Sequence, residues 1–183
     1  MATVNLLTRG MMVMRKTKVD YYLDIAREVA SRSPCARRKF GAVIVQNDTI
    51  ISTGYNGSAR GTLNCGLDVP CIKDVAAEPA LVSYDKCPAI HAEQNAILYA
   101  SSDRRIGATL YLASSTTKHG GRPCHLCRRY IIQSGIEDIW YLDKDGNKIH
   151  ENVEDWIGME NEWMTTTLDE IDPTWQRRML DAI

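Results

Sequence analysis

Two short fragments carry side chains that could do chemistry together: His91-Ala92-Glu93 and Pro123-Cys124-His125-Leu126-Cys127. An imidazole and two thiolates are donors that zinc takes readily. Cys124 and Cys127 are three apart, so on a helix they lie on one face and can share a metal ion. At a helix start the partial positive charge of the backbone favours their thiolate forms. Pro123 fits such a start, where its missing N–H costs nothing. His91 and Glu93 are two apart and on a regular helix would diverge by roughly 200°. They can serve one site only at a helix tip, before the backbone is fully helical. Two facing tips would then supply His91, Cys124 and Cys127, one ligand short of the four that close a zinc site. The open position suits a water whose pKa zinc brings close to neutrality, and Glu93 stands where it can take that proton. The plainer reading is a structural zinc knuckle with Glu93 as a surface carboxylate. A pure binding module, however, has no need of a carboxylate beside an open metal position.

The elements that must position these residues follow from periodicity. Val19, Tyr22, Leu23, Ala26, Val29 and Ala30 recur at helical spacing, which predicts an amphipathic helix over 19–32. Phe40–Gln46 and Thr49–Tyr55 flank Asn47-Asp48 and read as an antiparallel hairpin. Residues 56–88 are rich in Gly, Pro and Cys with little periodicity, a long loop that something must hold. His91–Ser101 reads as a helix, Ala108–Ala113 as a strand, and Ser114–Arg122 as a polar loop. Cys124–Ser134 reads as a second helix closed by Gly135, and Ile136–Leu142 as another strand. The order β-β-α-β-α-β predicts a layered α/β sheet whose helix-linked later strands are parallel. After Asp143 helices are expected over 153–163 and 175–183, and no further strand is placed.

The chain has 183 residues, 44% hydrophobic and 25% charged, with a formal net charge of -1. That suits one ordinary folded unit and lacks the basic excess of a polynucleotide-binding protein, while leaving room for a local basic pocket for one phosphate. No apolar run approaches membrane-spanning length, and residues 1–18 read as a tail, since Arg9 and Gly10 break any secretory signal. Six cysteines in a chain read as cytoplasmic point to metal or catalysis, because disulfides are rare in a reducing compartment.

The pattern H-x-E…P-C-x-x-C is that of the zinc nucleobase deaminases, and both halves occur here in order with a strand between them. Within that superfamily the chain resembles the deoxycytidylate (dCMP) deaminases. Gly54-Tyr55-Asn56-Gly57 looks like their GYNG loop, and the likeness continues through Phe40–Val45, His91–Ile97 and Ile131–Ile136. The resemblance implies a three-layer α/β/α cytidine-deaminase-like fold with a mixed central sheet. It also implies one catalytic zinc on His91, Cys124 and Cys127, with Glu93 as the proton shuttle that turns dCMP into dUMP and ammonia for thymidylate synthesis. Asn56 matches the asparagine that contacts the sugar, and Ala92 falls among the substrate contacts. Many members are homohexamers activated by dCTP and inhibited by dTTP, through a site that here would use Gly54, Tyr55 and Gly57. The plain alternative for Gly54–Gly57 is a simple turn. The expected organisation is a tail over 1–18 and one deaminase domain over 19–183, with a catalytic core at 19–142 and an extension at 143–183.

Cys35, Cys65, Cys71 and Cys87 lie outside the catalytic pattern. In the resemblance, Cys35 and Cys65 match a second, structural zinc site, and Cys71 and Cys87 fall in the right segments. A closed four-cysteine site would order the stretch 56–88; the alternative is buried or free thiols. His125 is expected to point away from the metal. Lys118, His119 and Arg122 form a small basic cluster beside the site, either solvated or touching a phosphate or effector. The loop 114–122 is longer than in the family and borders the expected substrate entrance, which opens the door to a 5-substituted cytosine nucleotide. Trp156, Trp163 and Trp175 are expected in the core or in subunit contacts. Rivals are a deaminase acting on another cytosine or purine nucleotide, nucleoside or tRNA, and a non-catalytic zinc module that senses nucleotides.

Overall fold

The computed structural model describes residues 15–76, 86–116 and 120–181. Its first helix, α1 (Lys18–Ser31), starts where the Thr17 hydroxyl accepts the Asp20 N–H, and it buries Tyr22, Leu23, Ala26 and Ala30. Strands β1 (Phe40–Gln46) and β2 (Thr49–Tyr55) form the expected hairpin. Asn47 and Asp48 turn it with φ of 49° and 60°, left-handed values that Asn and Asp tolerate and that match strand twist.

The loop-like region 56–88 carries short elements that periodicity did not reveal. Strand β3 (Gly57–Ser58) follows β2 directly, α2 (Ile72–Val75) is a single turn, and β4 (Ala89–Ile90) pairs antiparallel with β3. That pairing ties the end of the region to its beginning. It also delivers the chain straight into His91 at the head of α3 (Ala92–Tyr99). A short α4 (Ser102–Arg105) precedes β5 (Thr109–Ser114). Then α5 (His125–Ser134) ends on Gly135 at φ 78°, the left-handed stop its sequence predicts, and β6 (Asp138–Leu142) follows.

A strand appears where none was placed. β7 (Lys148–Asn152) pairs antiparallel with β6 around a turn containing Asp145-Gly146, with Gly146 at φ 85°. Next, α6 runs from Val153 to Ile171, eight residues past the expected end, and α7 covers Trp175–Asp181. The five-stranded sheet has the order β2-β1-β5-β6-β7. β5 and β6, linked by α5, are parallel as expected, and the other pairs are antiparallel, so the sheet is mixed.

Period-two alternation along β1 and β5 sends side chains to two cores. Val43, Val45, Tyr111 and Ala113 meet α1 on one face, while Ala42, Ile44, Leu110 and Leu112 meet α3, α5 and α6 on the other. Trp156 of α6 is fully buried in the second core. Glycines let both helix layers approach: a Cβ on Gly41 would lie 2.1 Å from Ala26 O of α1, and one on Gly54 2.3 Å from Ala96 N of α3. The result is three layers, α/β/α. Among the described residues no helix is long and apolar enough to cross a membrane.

Candidate active site

His91 and Cys124 are the N-caps of α3 and α5, both with extended backbone (ψ 158° and 164°). This resolves the angular problem of the H-x-E spacing: His91 stands before the helix, and Glu93 lies in its first turn. The His91 N–H donates to Gln94 Oε1 at 2.9 Å, which fixes the entry into α3. His91 Nδ1 lies 3.5 Å from Cys124 Sγ and 3.2 Å from Cys127 Sγ, and all three donor atoms fall within 4.8 Å of one another. Tetrahedral zinc with ordinary Zn–N and Zn–S lengths needs nitrogen and sulfur roughly 3.6 Å apart. The donor set and its spacing therefore fit zinc. Among the described residues it is the one group of three or more possible ligands that converges so closely.

The electrostatics suit a cation. Cys124 is drawn down to about 3, first by a hydrogen bond from the Cys127 thiol and then, against the cost of burial, by His91. The same thiol–thiol bond and burial push Cys127 up. Glu93 is 5% exposed, within hydrogen-bonding reach of Cys127, and burial raises its pKa. This side chain is no surface carboxylate, as a structural zinc knuckle would have it.

These groups open on a cavity of about 300 Å³, which Asn56, Ala92 and Arg122 also line. Asn56 does more than border it. Its Oδ1 accepts the Phe40 N–H at 2.7 Å, its Nδ2 donates to Arg38 O at 2.8 Å, and its own carbonyl accepts the Ser33 hydroxyl at 2.7 Å. Asn56 thus clamps the 33–40 segment to the end of β2, keeping one amide hydrogen for another partner. The plain alternative for Gly54–Gly57, a simple turn, is not what forms: neither glycine has a positive φ, and Gly54 is a close-packing residue. Gly54, Tyr55 and Gly57 line a second, more open groove of about 750 Å³, together with Arg60, Asn95 and Tyr99.

Cys35, Cys65, Cys71 and Cys87 are free thiols on the wall of the first cavity. Cys65 is pushed up to about 11, mostly by burial, then by its hydrogen bond with Cys71 and the nearness of Cys35 and Cys87. The four are neighbours, though no three of them converge within 4.8 Å as the first set does. His125 points to solvent between Arg128 and Glu160, in keeping with no metal role. Lys118 and His119 lie outside the described residues, as do 1–14 of the tail and 77–85 of the cysteine-bearing stretch. The described ends of the 114–122 loop are fixed: the Ser115 N–H donates to Lys39 O at 3.0 Å, and the Gly121 N–H to Leu142 O at 2.7 Å.

Sequence reasoning passed over two features. Arg37, Arg38 and Lys73 add positive charge to the cavity wall, a signal present in the basic run 37–39 just before β1. Glu151 of β7 is a buried-side hub, accepting from Tyr141 Oη at 2.5 Å and Trp156 Nε1 at 2.5 Å and pairing with Arg122 Nε at 3.0 Å. Burial works to raise its pKa, but the bonds from Tyr141, Trp156 and Arg122 outweigh it and hold the carboxyl below its ordinary value.

Residues 16–143 match the family model described as the cytidine and deoxycytidylate deaminase zinc-binding region. The chain is 39% identical over 127 residues to the deoxycytidylate deaminase of Mycobacterium phage D29, covering 67% of this chain and 91% of that one. It is 36% identical to the deoxycytidylate deaminase of Schizosaccharomyces pombe over 67% of this chain, which spans 36% of that longer protein. The crystal structure of dCMP deaminase from cyanophage S-TIM5 superposes with a TM-score of 0.50 at 26% identity, covering 69% of this chain and 82% of that one. With the candidate ligand triad, the buried glutamate and the layered sheet in place, the chain belongs to the family of zinc-binding cytidine and deoxycytidylate deaminases.

Proposed function

We propose that this chain hydrolyses dCMP to dUMP and ammonia, with Glu93 as the catalytic residue and His91, Cys124 and Cys127 as zinc ligands. The carrying observation is the buried carboxyl of Glu93 beside three convergent zinc donors at two helix tips. The name of the phage relative, which the chain covers almost end to end, supports the substrate. Zinc, when bound, supplies a Lewis-acidic open position that makes a water nucleophilic near neutral pH. Glu93 takes a proton from that water and delivers it to ring N3. As that oxygen bonds to C4, Glu93 takes its remaining proton and passes it to the amino group; the C4–N bond breaks, the C4 carbonyl forms and ammonia leaves. Ala92 and Asn56 line the cavity where base and sugar sit, and the clamped Asn56 has an amide hydrogen left for a sugar hydroxyl. Basic side chains on the same wall suit a single phosphate.

The finer features belong to the same proposal. A second, structural zinc on Cys35, Cys65, Cys71 and Cys87 is supported by the clustering of those thiols. Regulation by dCTP and dTTP is supported by the groove at Gly54, Tyr55 and Gly57, and a homohexamer by the family resemblance. A cytoplasmic location accords with six unpaired cysteines. The core at 19–142 extends into 143–183, whose β7 and Trp156 are built into the same sheet and core.

The test is ammonia release from dCMP, dCTP, deoxycytidine and CMP by wild type and Glu93→Ala, with zinc content measured for both. Turnover of dCMP that vanishes in Glu93→Ala while zinc stays bound is expected. Zinc-loaded wild type that deaminates none of the four overturns the assignment of substrate.

A further inference from the structure

Arg122 stands immediately before Pro123-Cys124, on the wall of the cavity that the candidate metal ligands open on. Its guanidinium is held by one edge. Nε lies 3.0 Å from Glu151 Oε1, and the adjacent Nη2 lies 3.4 Å from Oε2. A guanidinium has five N–H donors, and this fork uses two, leaving the Nη1 edge as a second pair aimed elsewhere. Glu151 is itself fixed from two further sides, by Tyr141 of β6 and Trp156 of α6. The Glu151 side chain is 19% exposed and that of Arg122 49%, so the anchor is sheltered and the arginine reaches open space. Such an arrangement gives a long cation one orientation before any ligand arrives, which removes much of the entropy cost of fixing it.

The geometry points to Arg122 as a contact for the phosphate of the nucleotide substrate, oriented by Glu151 as a positioning residue on β7. This rests on the deaminase reading of the site and deepens it: the extension after residue 142 takes part in choosing a nucleotide over a nucleoside. The phosphate is the class of ligand that fits. A planar donor edge meets two phosphate oxygens at once, and Arg37, Arg38 and Lys73 share the cavity wall. Glu151 touches none of the reacting atoms. Its effect passes through Arg122.

The experiment compares kcat and KM for dCMP and deoxycytidine in zinc-loaded wild type, Arg122→Ala, Arg122→Lys and Glu151→Gln. Arg122→Ala is expected to lower the dCMP-to-deoxycytidine ratio of kcat/KM by roughly 10- to 100-fold, mainly through KM for dCMP. Arg122→Lys keeps the charge without the fork and recovers part of that ratio. Glu151→Gln lowers the ratio by a smaller factor in the same direction, which a merely structural role would not do, since loosening the fold affects both substrates alike. Calorimetric titration with dUMP and deoxyuridine reads the same discrimination as binding. An unchanged ratio in Arg122→Ala, while wild type still turns over dCMP, overturns the phosphate contact and leaves the deaminase reading standing. Wild type that releases ammonia from neither compound overturns both.

Discussion

Replacing Gly54 by alanine tests whether strand β2 and helix α3 are held together by contact of their backbones. The added Cβ would lie 2.3 Å from Ala96 N, 2.4 Å from Ala92 O and 2.9 Å from Ala96 Cα, against the 3.4 Å at which ordinary contact begins. All three obstacles are backbone atoms, so no side chain can swing aside, and α3 must retreat by about 1 Å. Forcing a methyl group into a packed core typically costs ~1–3 kcal/mol. For a chain of this length that corresponds to a fall in Tm of roughly 2–12 °C. The rate should suffer more than the fold. His91 caps α3 and Glu93 sits in its first turn, whereas Cys124 and Cys127 belong to α5. A ~1 Å shift of one tip against the other is worth about 100-fold in kcat. Circular-dichroism melting, zinc content and ammonia release on the same preparations read all three quantities. Wild-type Tm and kcat in Gly54→Ala would refute the packing argument. If the variant kept both and lost only its response to dCTP, Gly54 would belong to regulation instead.

Four further outcomes are expected. Gly158, inside α6 with nothing within 4 Å of a built Cβ, should accept alanine with a gain of about 0.5–1 kcal/mol from helix propensity, read as a higher melting temperature; a lower one would mean α6 is not a regular helix there. Cys124→Ser should abolish activity and release the catalytic zinc. Cys65→Ser should lower Tm and zinc content together, and unchanged melting with unchanged zinc would sink the second site. The bonds from Tyr141, Trp156 and Arg122 hold the folded Glu151 carboxyl below its ordinary value, so its contribution is complete above the unfolded pKa and is lost as pH falls through the folded one. The stability difference between wild type and Glu151→Gln should therefore shrink as pH drops below about 4.5, and a difference that grows on acidification would contradict the assignment of its partners.

Much of this architecture was legible because its elements are periodic or punctuated. The spacing of Tyr22, Leu23, Ala26 and Ala30 marks α1, and Asn47-Asp48 and Gly135 mark their turns by chemistry local to a few residues. The triad was legible because three ligands with one carboxylate are chemically distinctive. β7 was not, although Asp145-Gly146 is a hairpin signal, because Lys148–Asn152 is a polar edge strand with only Ile149 to mark a face. The structural part played by Asn56 was hidden for another reason. Its partners are backbone groups at 38 and 40, and no side-chain pattern records a bond to a carbonyl. The packing part played by Gly54 was hidden because glycine's two uses, freedom of φ and absence of bulk, look identical in a sequence. Glu151 joins residues 122, 141 and 156, a meeting that exists only once the sheet has formed.

The two backbone bonds that fasten Ser115 to Lys39 and Gly121 to Leu142 separate the candidate zinc ligands from whatever lies between them. Residues can be added or removed within that interval at an entropic cost that rises only slowly with length. Cys124 keeps its place because the chain is re-anchored before reaching it. A change of length between these two anchors should therefore leave the positions of His91, Cys124 and Cys127 unaltered.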